Sequence, residues 1–256
     1  MSVVLSLSNI HKNFGGLSVI NDVSFEIVEG SRTALIGPNG AGKTTVFNLL
    51  SGIYPLDRGQ IILNGIDISA VPPRKRIDYG ISRSFQNIRL MPHLSTVENV
   101  ILGQHHLASA ADQLFRPLKL FNKSRDFKRA EQALENAGLG TYPGQNVKEL
   151  PYGVQKRIEV VRALMSNPKL LLLDEPAAGL NSVESRELRK MLEKVSETGV
   201  TLLIVEHDMN FVRKLTDHVI VLNFGKKIFE GTPEQVGKDR NVLEAYLGTD
   251  QTSQNT

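Results

Sequence analysis

Residues 37–44 read Gly-Pro-Asn-Gly-Ala-Gly-Lys-Thr and match the phosphate-binding pattern G-x-x-x-x-G-K-[ST] at every fixed position. The apolar residues 32–36 before this segment predict a strand, and residues 44–50 after it predict a helix that Gly52 stops. This order of strand, glycine-rich turn and helix predicts an α/β protein that holds a phosphate at the start of the helix. We therefore predict a nucleotide-binding protein. Taken alone, the segment has an alternative interpretation as a glycine-rich turn with a surface lysine.

The residue types of this loop suit the binding of the phosphates of a nucleotide. Glycines allow successive N–H groups to point inward at an anion, which the positive end of the helix dipole also favours. Lys43 is expected to reach the β- and γ-phosphates, Thr44 to offer a hydroxyl to Mg²⁺ and Thr45 to lie near the α-phosphate. The loop residues predicted to bind the nucleotide are Gly37, Pro38, Asn39, Gly40, Ala41, Gly42, Lys43, Thr44 and Thr45.

The composition is that of a globular protein and excludes several kinds of site. Cysteine is absent from the 256 residues, which rules out disulfides, thiolate metal ligands and cysteine nucleophiles. The net charge of +3 gives no indication of nucleic-acid binding, and we interpret basic runs such as Arg74–Arg76 and Lys156–Arg157 as solvated faces. No stretch is apolar enough to span a membrane, so we expect neither a spanning helix nor a secretion signal.

Apolar patterning predicts strands at both ends of the chain and helices in the middle. Alternation at 5–7 and 23–27, with residues 61–63 before an Asn-Gly turn, predicts an antiparallel β subdomain. Continuous apolar runs at 170–173 and 200–205, separated by a helix predicted at 185–197, have the βαβ rhythm of a parallel sheet. Residues 219–222 and 227–229 predict a terminal hairpin.

Between these strand-rich parts, branched strand residues become scarce and segments such as 124–137 predict helix. We therefore predict a nucleotide-binding core with its β subdomain at 1–86 and 167–248. An inserted helical subdomain is predicted at 87–166, and a disordered polar tail at 249–256.

Chemically active side chains follow two of the predicted strands. Asp174 and Glu175 come after the run 170–173, at the end where open parallel sheets place ligands. Asp174 is predicted to hold Mg²⁺ through water, and Glu175 to act as general base toward an attacking water. His207 follows the next strand and is predicted to bond the γ-phosphate and orient that water. The alternative for Asp174 and Glu175 is an ordinary acidic loop after a core strand, and the alternative for His207 is a structural or solvated side chain.

The order of the motifs resembles that of the ABC-transporter ATPases. The motifs are the phosphate loop at 37–44, a glutamine loop at 84–87, a signature region at 150–157, the acidic strand end at 170–175, the loop 178–181 and His207. The resemblance implies a P-loop NTPase fold with a RecA-like core, hydrolysis of ATP with Mg²⁺ and head-to-tail pairing of two ATPase subunits. It implies catalytic roles for Lys43, Gln86, Glu175 and His207, with Gln86 also a ligand of Mg²⁺. Phe14 is implied to lie under the adenine, with core packing as the alternative.

The signature region departs from the pattern of this family. The usual Leu-Ser-Gly-Gly-Gln is Leu-Pro-Tyr-Gly-Val at residues 150–154, so that Pro151 replaces the serine hydroxyl and lacks an N–H. Gly153 is retained and is implied to close on the nucleotide of the second subunit. The apolar spacing of Val154, Ile158, Val161 and Met165 predicts an intact helix. The altered motif favours two different ATPase subunits over two copies of this chain.

This variant, together with residues 14–16, 82–86 and 179–181, resembles one ATP-binding subunit of the branched-chain amino acid importers. The resemblance implies three kinds of partner: transmembrane permease subunits, a second ATPase subunit and, indirectly, a substrate-binding protein. It also implies a peripheral position on the cytoplasmic face of the inner membrane. The alternatives are a transporter of urea, amides or lipids, and a soluble ABC ATPase without a transport role. The apolar residues within 114–121 are interpreted as core, with a partner contact as the alternative.

Overall fold

The computed structural model describes residues 2–84, 86–107 and 125–250. Its strands are β1 (Val3–Phe14), β2 (Leu17–Val28), β3 (Arg32–Ile36), β4 (Arg58–Leu63), β5 (Ile66–Asp67), β6 (Ile81–Arg83), β7 (Leu170–Asp174), β8 (Thr201–Val205), β9 (His218–Asn223) and β10 (Lys226–Gly231). Its helices are α1 (Lys43–Leu50), α2 (Pro73–Arg76), α3 (Thr96–Ile101), α4 (Arg125–Asn136), α5 (Tyr152–Leu164), α6 (Ser182–Glu197), α7 (Met209–Leu215), α8 (Pro233–Val236) and α9 (Arg240–Asp250). Short 3₁₀ turns cover Ile77–Tyr79, Leu102–Leu107 and Val147–Glu149.

The strands form two sheets. Strands β2, β1, β4 and β5 are neighbours in that order and pair antiparallel, which confirms the predicted N-terminal β subdomain. The second sheet has the order β10-β9-β3-β8-β7-β6, in which all pairs are parallel except the terminal hairpin of β9 and β10. The predicted α/β class, with a parallel sheet that ends in a hairpin, is therefore confirmed.

Between β6 and β7 the described chain is helical, and α3, α4 and α5 pack against one another. The boundaries 87 and 166 of a separate helical subdomain stay a prediction. The apolar residues predicted at 114–121 lie outside the described residues. None of the helices in the described ranges is long and apolar enough to cross a membrane.

Most predicted boundaries differ from the structure by some residues, and for two of them the structure shows the cause. Helix α6 begins at Ser182, three residues before the predicted start, because the side chain of Asn181 accepts hydrogen bonds from the N–H groups of Val183 (2.9 Å) and Glu184 (3.0 Å). Helix α9 runs through Asp250, so the prediction of a disordered tail from residue 249 was wrong for its first two residues. Packing of Val242 of this helix in the core favours its continuation. Residues 251–256 lie outside the described residues.

The leucine run of β7 contributes to two different hydrophobic clusters. Leu170 and Leu172 belong to the cluster that includes α1 and the antiparallel sheet, whereas Leu171 and Leu173 belong to the cluster formed with α5 and α6. All four side chains are fully buried, because successive strand residues point to opposite faces and both faces of this sheet are covered.

Leu172→Ala is expected to lower the free energy of unfolding by about 2–5 kcal/mol, because it removes buried methyl groups and leaves a cavity between the sheet and α1. Urea unfolding followed by circular dichroism measures this loss. Leu17→Ala is the control, since Leu17 is 67% exposed and its truncation is expected to change the stability little. Equal losses for the two variants would contradict the assignment of Leu172 to the core.

Candidate active site

The phosphate loop joins β3 to α1, and its glycines are required by close backbone contacts. Gly37 has a φ of 150° and Gly42 a φ of 103°. A Cβ added to Gly37 would lie 2.1 Å from the carbonyl oxygen of Leu222, and one added to Gly42 would lie 2.7 Å from Cδ1 of Ile20. A side chain at either position would therefore displace the loop from β9 or from β2.

Lys43 lies buried across this loop, and its Nζ donates to the carbonyl oxygens of Gly37 (2.6 Å) and Pro38 (3.0 Å). Burial lowers the pKa of Lys43, and the charges of Glu175 and Asp174 act in the opposite direction. No side chain of the described residues caps the start of α1 at Gly42. Uncapped N–H groups beside a buried ammonium group suit an anion, so this loop fits a nucleotide phosphate.

Three residues from separate parts of the sequence meet at the carboxyl ends of β7 and β8. The Nε2 of Gln86 donates to Oε2 of Glu175 at 2.6 Å, and Nδ1 of His207 lies 3.5 Å from Oε1 of the same carboxylate. The side chain of His207 is 60% exposed and can therefore contact a ligand. We predicted all three as catalytic residues, and the structure brings them together; their roles stay predictions.

Glu175 is held in an unusual backbone conformation. Its φ is 46°, in the left-handed region, which costs a residue with a Cβ roughly 1–2 kcal/mol. Its N–H donates to the carbonyl oxygen of Val205 at 2.9 Å, which ties the turn to the neighbouring strand. The turn directs the Glu175 carboxylate toward Gln86 and His207.

Sequence reasoning missed Glu206, whose side chain binds the backbone of the segment that follows Glu175. Its buried carboxylate accepts hydrogen bonds from the N–H groups of Ala177 (2.8 Å) and His207 (3.2 Å). Burial raises the pKa of Glu206, and these N–H groups oppose that rise. An acidic residue at the end of a buried strand was the available signal.

Arg83 was also missed, and it binds the predicted magnesium ligand directly. Its guanidinium donates to Oδ2 of Asp174 at 2.6 Å, to Oδ1 of Asn48 at 2.8 Å and to Oγ of Ser51 at 3.2 Å. The side chains of Arg83 and Asp174 are 9% and 10% exposed, so this ion pair is nearly buried. It ties β6, α1 and β7 together. No pattern in the sequence around Arg83 predicts this ion pair.

Phe14 lies at the end of β1, where the hairpin leads into β2. Its ring is 42% exposed and meets Tyr54 edge to face, with ring centroids 5.0 Å apart. The alternative of core packing for Phe14 was therefore wrong. The next strand, β2, brings Val19 beside Gly42, so Phe14 lies on the hairpin that borders the phosphate loop.

The signature region lies at the start of α5. Pro151 is the N-cap residue, and the predicted apolar face of the helix is confirmed, since Val154, Ile158, Val161 and Met165 are all buried. The N–H of Gly153 donates to Oε1 of Glu184 at 3.3 Å. A Cβ on Gly179 would lie 3.2 Å from the ring of Tyr152. The described signature residues thus contact the loop 178–181 and the start of α6.

The C-terminal helix also reaches the phosphate loop. Burial raises the pKa of Tyr246 in α9, and a hydrogen bond with the backbone of Gly37 acts in the opposite direction. The position of Gly37 therefore depends on both β9 and α9.

The interpretation of the basic runs as solvated faces was wrong for two residues. Arg76 and Lys156 are each 3% exposed. Arg76 donates to the carbonyl oxygens of Val71 (2.9 Å) and Ser69 (3.4 Å), and Lys156 donates to that of Gln86 (2.5 Å). Backbone carbonyls replace water around both cations.

A family model described as ABC transporter matches residues 20–178, which is more than half of the chain. The chain belongs to the ABC transporter family. A second model, described as branched-chain amino acid ATP-binding cassette transporter, matches residues 226–252, the segment that includes Tyr246. As an ATP-binding cassette of this family, the chain binds nucleotide and is an ATPase.

Individual proteins of this family are similar over nearly the whole ABC cassette. The high-affinity branched-chain amino acid transport ATP-binding protein BraF of Pseudomonas aeruginosa is 40% identical over 249 residues, which cover 96% of this chain and 98% of BraF. The crystal structure of the ADP conformation of MJ1267, an ATP-binding cassette of an ABC transporter, superposes with a TM-score of 0.87 at 31% identity and covers 97% of this chain and 100% of that chain. A dimeric post-hydrolysis structure of the cassette MJ0796 bound to ADP and Pi gives a TM-score of 0.73 at 26% identity, covering 90% and 98%.

Gly37→Ala is expected to weaken ATP binding by at least about tenfold, or ~1.4 kcal/mol, because the loop must move away from the carbonyl of Leu222. Isothermal titration with ATP and Mg²⁺ measures the affinity. Gly144→Ala is the matched control, because a Cβ there meets nothing within 4 Å and its φ is not positive. Unchanged affinity in a folded Gly37→Ala variant would contradict the role of this loop.

Proposed function

We propose that this chain is the ATP-hydrolysing subunit of a membrane transporter that imports branched-chain amino acids. The observation that carries the proposal is the meeting of Gln86, Glu175 and His207 at the sheet edge beside the phosphate loop. The amino-acid cargo is supported by the similarity to BraF, a branched-chain amino acid transport ATP-binding protein, and by the match of residues 226–252 to the branched-chain model.

In the proposed reaction, water attacks the γ-phosphorus of ATP and the bond to ADP breaks. Glu175 takes the proton from that water, while Gln86 holds the carboxylate in place through its 2.6 Å hydrogen bond. His207 donates to the γ-phosphate. Lys43 exchanges its loop carbonyls for phosphate oxygens and stabilises the charge that develops there.

The remaining nucleotide contacts follow from the loop and the hairpin beside it. The N–H groups of residues 39–45 cradle the phosphates, and Phe14 presents its exposed ring to the adenine. Thr44, Asp174 and the amide oxygen of Gln86 offer the oxygen ligands that Mg²⁺ prefers. When bound, Mg²⁺ neutralises phosphate charge. The Nε2 of Gln86 points at Glu175, so the amide oxygen is the atom available to the ion.

The proposed assembly contains a second ATPase subunit, transmembrane permease subunits and, through them, a substrate-binding protein. The N–H of Gly153, at the start of α5, would break its hydrogen bond to Glu184 and donate to the nucleotide of the second subunit. Because Pro151 lacks the hydroxyl and N–H of a serine, we propose that this second subunit is a different chain that carries the standard signature. The assembly would lie at the cytoplasmic face of the inner membrane.

Glu175→Gln is expected to reduce kcat for ATP hydrolysis by about 10²–10⁴-fold, because an amide cannot accept the proton of the attacking water. The affinity for ATP is expected to stay within about twofold of the wild-type value, since the phosphate loop is unchanged. Phosphate release and nucleotide titration measure the two quantities. Glu197→Gln, at an exposed position of α6, is the control. Hydrolysis by Glu175→Gln at the wild-type rate would refute the assignment of the general base.

The cargo is tested with the complex that co-purifies with this chain from gently solubilised membranes, reconstituted into vesicles. ATP-driven uptake of leucine, isoleucine and valine is expected, and it should disappear in the Glu175→Gln complex. Uptake of urea or amides, or extraction of lipid, without uptake of these amino acids would overturn the proposed cargo.

Pairing predicts that hydrolysis depends on protein concentration. The isolated chain is expected to hydrolyse ATP slowly, with a rate per chain that rises with chain concentration or on addition of the second ATPase subunit, because each site needs a signature region from another subunit. Steady-state phosphate release over a dilution series measures this dependence. A rate per chain that neither depends on chain concentration nor rises on addition of the second ATPase subunit would contradict the shared site.

A further inference from the structure

Side chains of helix α5 bind the backbone of the segment that carries Gln86. Lys156 donates from Nζ to the carbonyl oxygen of Gln86 at 2.5 Å, and Arg162 donates to the carbonyl oxygen of Arg89 at 2.6 Å. Oε1 of Glu159 accepts from the N–H of Arg89 at 3.4 Å. These α5 residues are spaced by three and therefore lie along one face of the helix.

The described contacts differ between the two ends of this segment. Residues 86–91 form neither helix nor strand, and Gln86 is exposed to solvent. At the far end, Leu90 packs against the hydrophobic cluster that includes α3 and α5. Asn99 accepts from the N–H of Met91 at 2.7 Å and donates from Nδ2 to its carbonyl oxygen at 3.1 Å. At the Gln86 end, the described hydrogen bond to the backbone comes from Lys156, and its charged donor makes it strong.

The charges on this face of α5 are costly to bury. Lys156 is 3% exposed and Glu159 is 2% exposed. Burial lowers the pKa of Lys156, against the influence of the nearby carboxylates of Glu159, Glu206, Glu175 and Asp174. The ammonium group also lies 5.7 Å from the centre of the Tyr152 ring, in the altered signature region. Lys156 is thus a nearly buried cation whose described hydrogen bond goes to the carbonyl oxygen of Gln86, which offsets part of the cost of removing the charge from water.

We propose that Lys156 is a positioning residue for ATP hydrolysis, because it fixes the backbone of Gln86 against α5 and thereby keeps the Gln86 amide on the Glu175 carboxylate. The proposal rests on the catalytic roles proposed above for Gln86 and Glu175. It makes the signature helix and the Gln86–Glu175 pair one connected unit, so a displacement of α5 moves the amide relative to the carboxylate.

The positional part of the proposal is tested on the full chain without nucleotide, by hydrogen exchange. Lys156→Met keeps the length of the side chain but removes the donor, and it is expected to speed amide exchange in residues 86–91 by about tenfold. Lys156→Arg should retain most of the protection. Lys190→Met, at an exposed position of α6, is the control and should leave this segment unchanged. Wild-type protection in a folded Lys156→Met variant would overturn the proposal.

The catalytic part is tested by separating kcat from nucleotide affinity in the assembled, active complex. Lys156→Met is expected to lower kcat by about 10–100-fold while the Kd for ATP changes by less than about twofold, because the phosphate loop is not touched. Lys156→Arg should recover kcat to within about threefold of the wild-type value. A loss of ATP affinity as large as the loss of kcat would indicate a general structural role and overturn the proposal.

A double-mutant cycle distinguishes failure of this proposal from failure of the proposed function. In the Gln86→Ala background, Lys156→Met should lower kcat little further, because the positioned side chain is already gone. A full additional loss would show that Lys156 does not act through Gln86 and would overturn the inference alone. Wild-type kcat for Gln86→Ala itself would overturn the catalytic role of Gln86, on which the inference depends, while leaving the exchange experiment as the test of the backbone contact.

Discussion

The parallel alignment of β6, β7 and β8 fixes the place of the chemistry in this protein. Because the strands run in one direction, Asp174 pairs with Val205 in register, and the residues that follow each strand emerge at the same edge of the sheet. Glu175 and His207 meet there, and the segment after β6 brings in Gln86. The phosphate loop leaves β3, the other parallel neighbour of β8, so binding and hydrolysis share one edge.

Several charged groups around this edge are buried and paired. Lys43 is held by loop carbonyls, Asp174 by Arg83, and Glu206 by backbone N–H groups. Each pairing offsets the cost of removing a charge from water, and each also fixes the position of a loop or strand end. Polar contacts thus fix the positions of the residues at this edge, whereas the hydrophobic clusters hold the layers on the two faces of the sheet together.

Local patterns were sufficient to predict the phosphate loop, the buried strands and the candidate residues Glu175 and His207. They failed where the outcome depends on distant partners. Arg83 meets Asp174 from 91 residues away, and nothing near either residue in the sequence indicates the pair. The burial of Lys156 was also mispredicted, since a short basic run does not reveal which of its members faces another segment. The start of α6 was missed because Asn181 was taken only as a loop residue rather than as a helix cap.

The division of the leucine run of β7 between two clusters has a further consequence. The residues at 170–173 are identical, so a slip of this strand by one position would exchange the two pairs of leucines and still bury most of their surface. Hydrophobic burial therefore specifies the strand but hardly its register. The polar end of the strand distinguishes the alternatives, because only one register places Asp174 on Arg83 without leaving a buried charge alone. The carboxylate of Asp174, which is proposed to serve the nucleotide site, therefore also sets the register of β7.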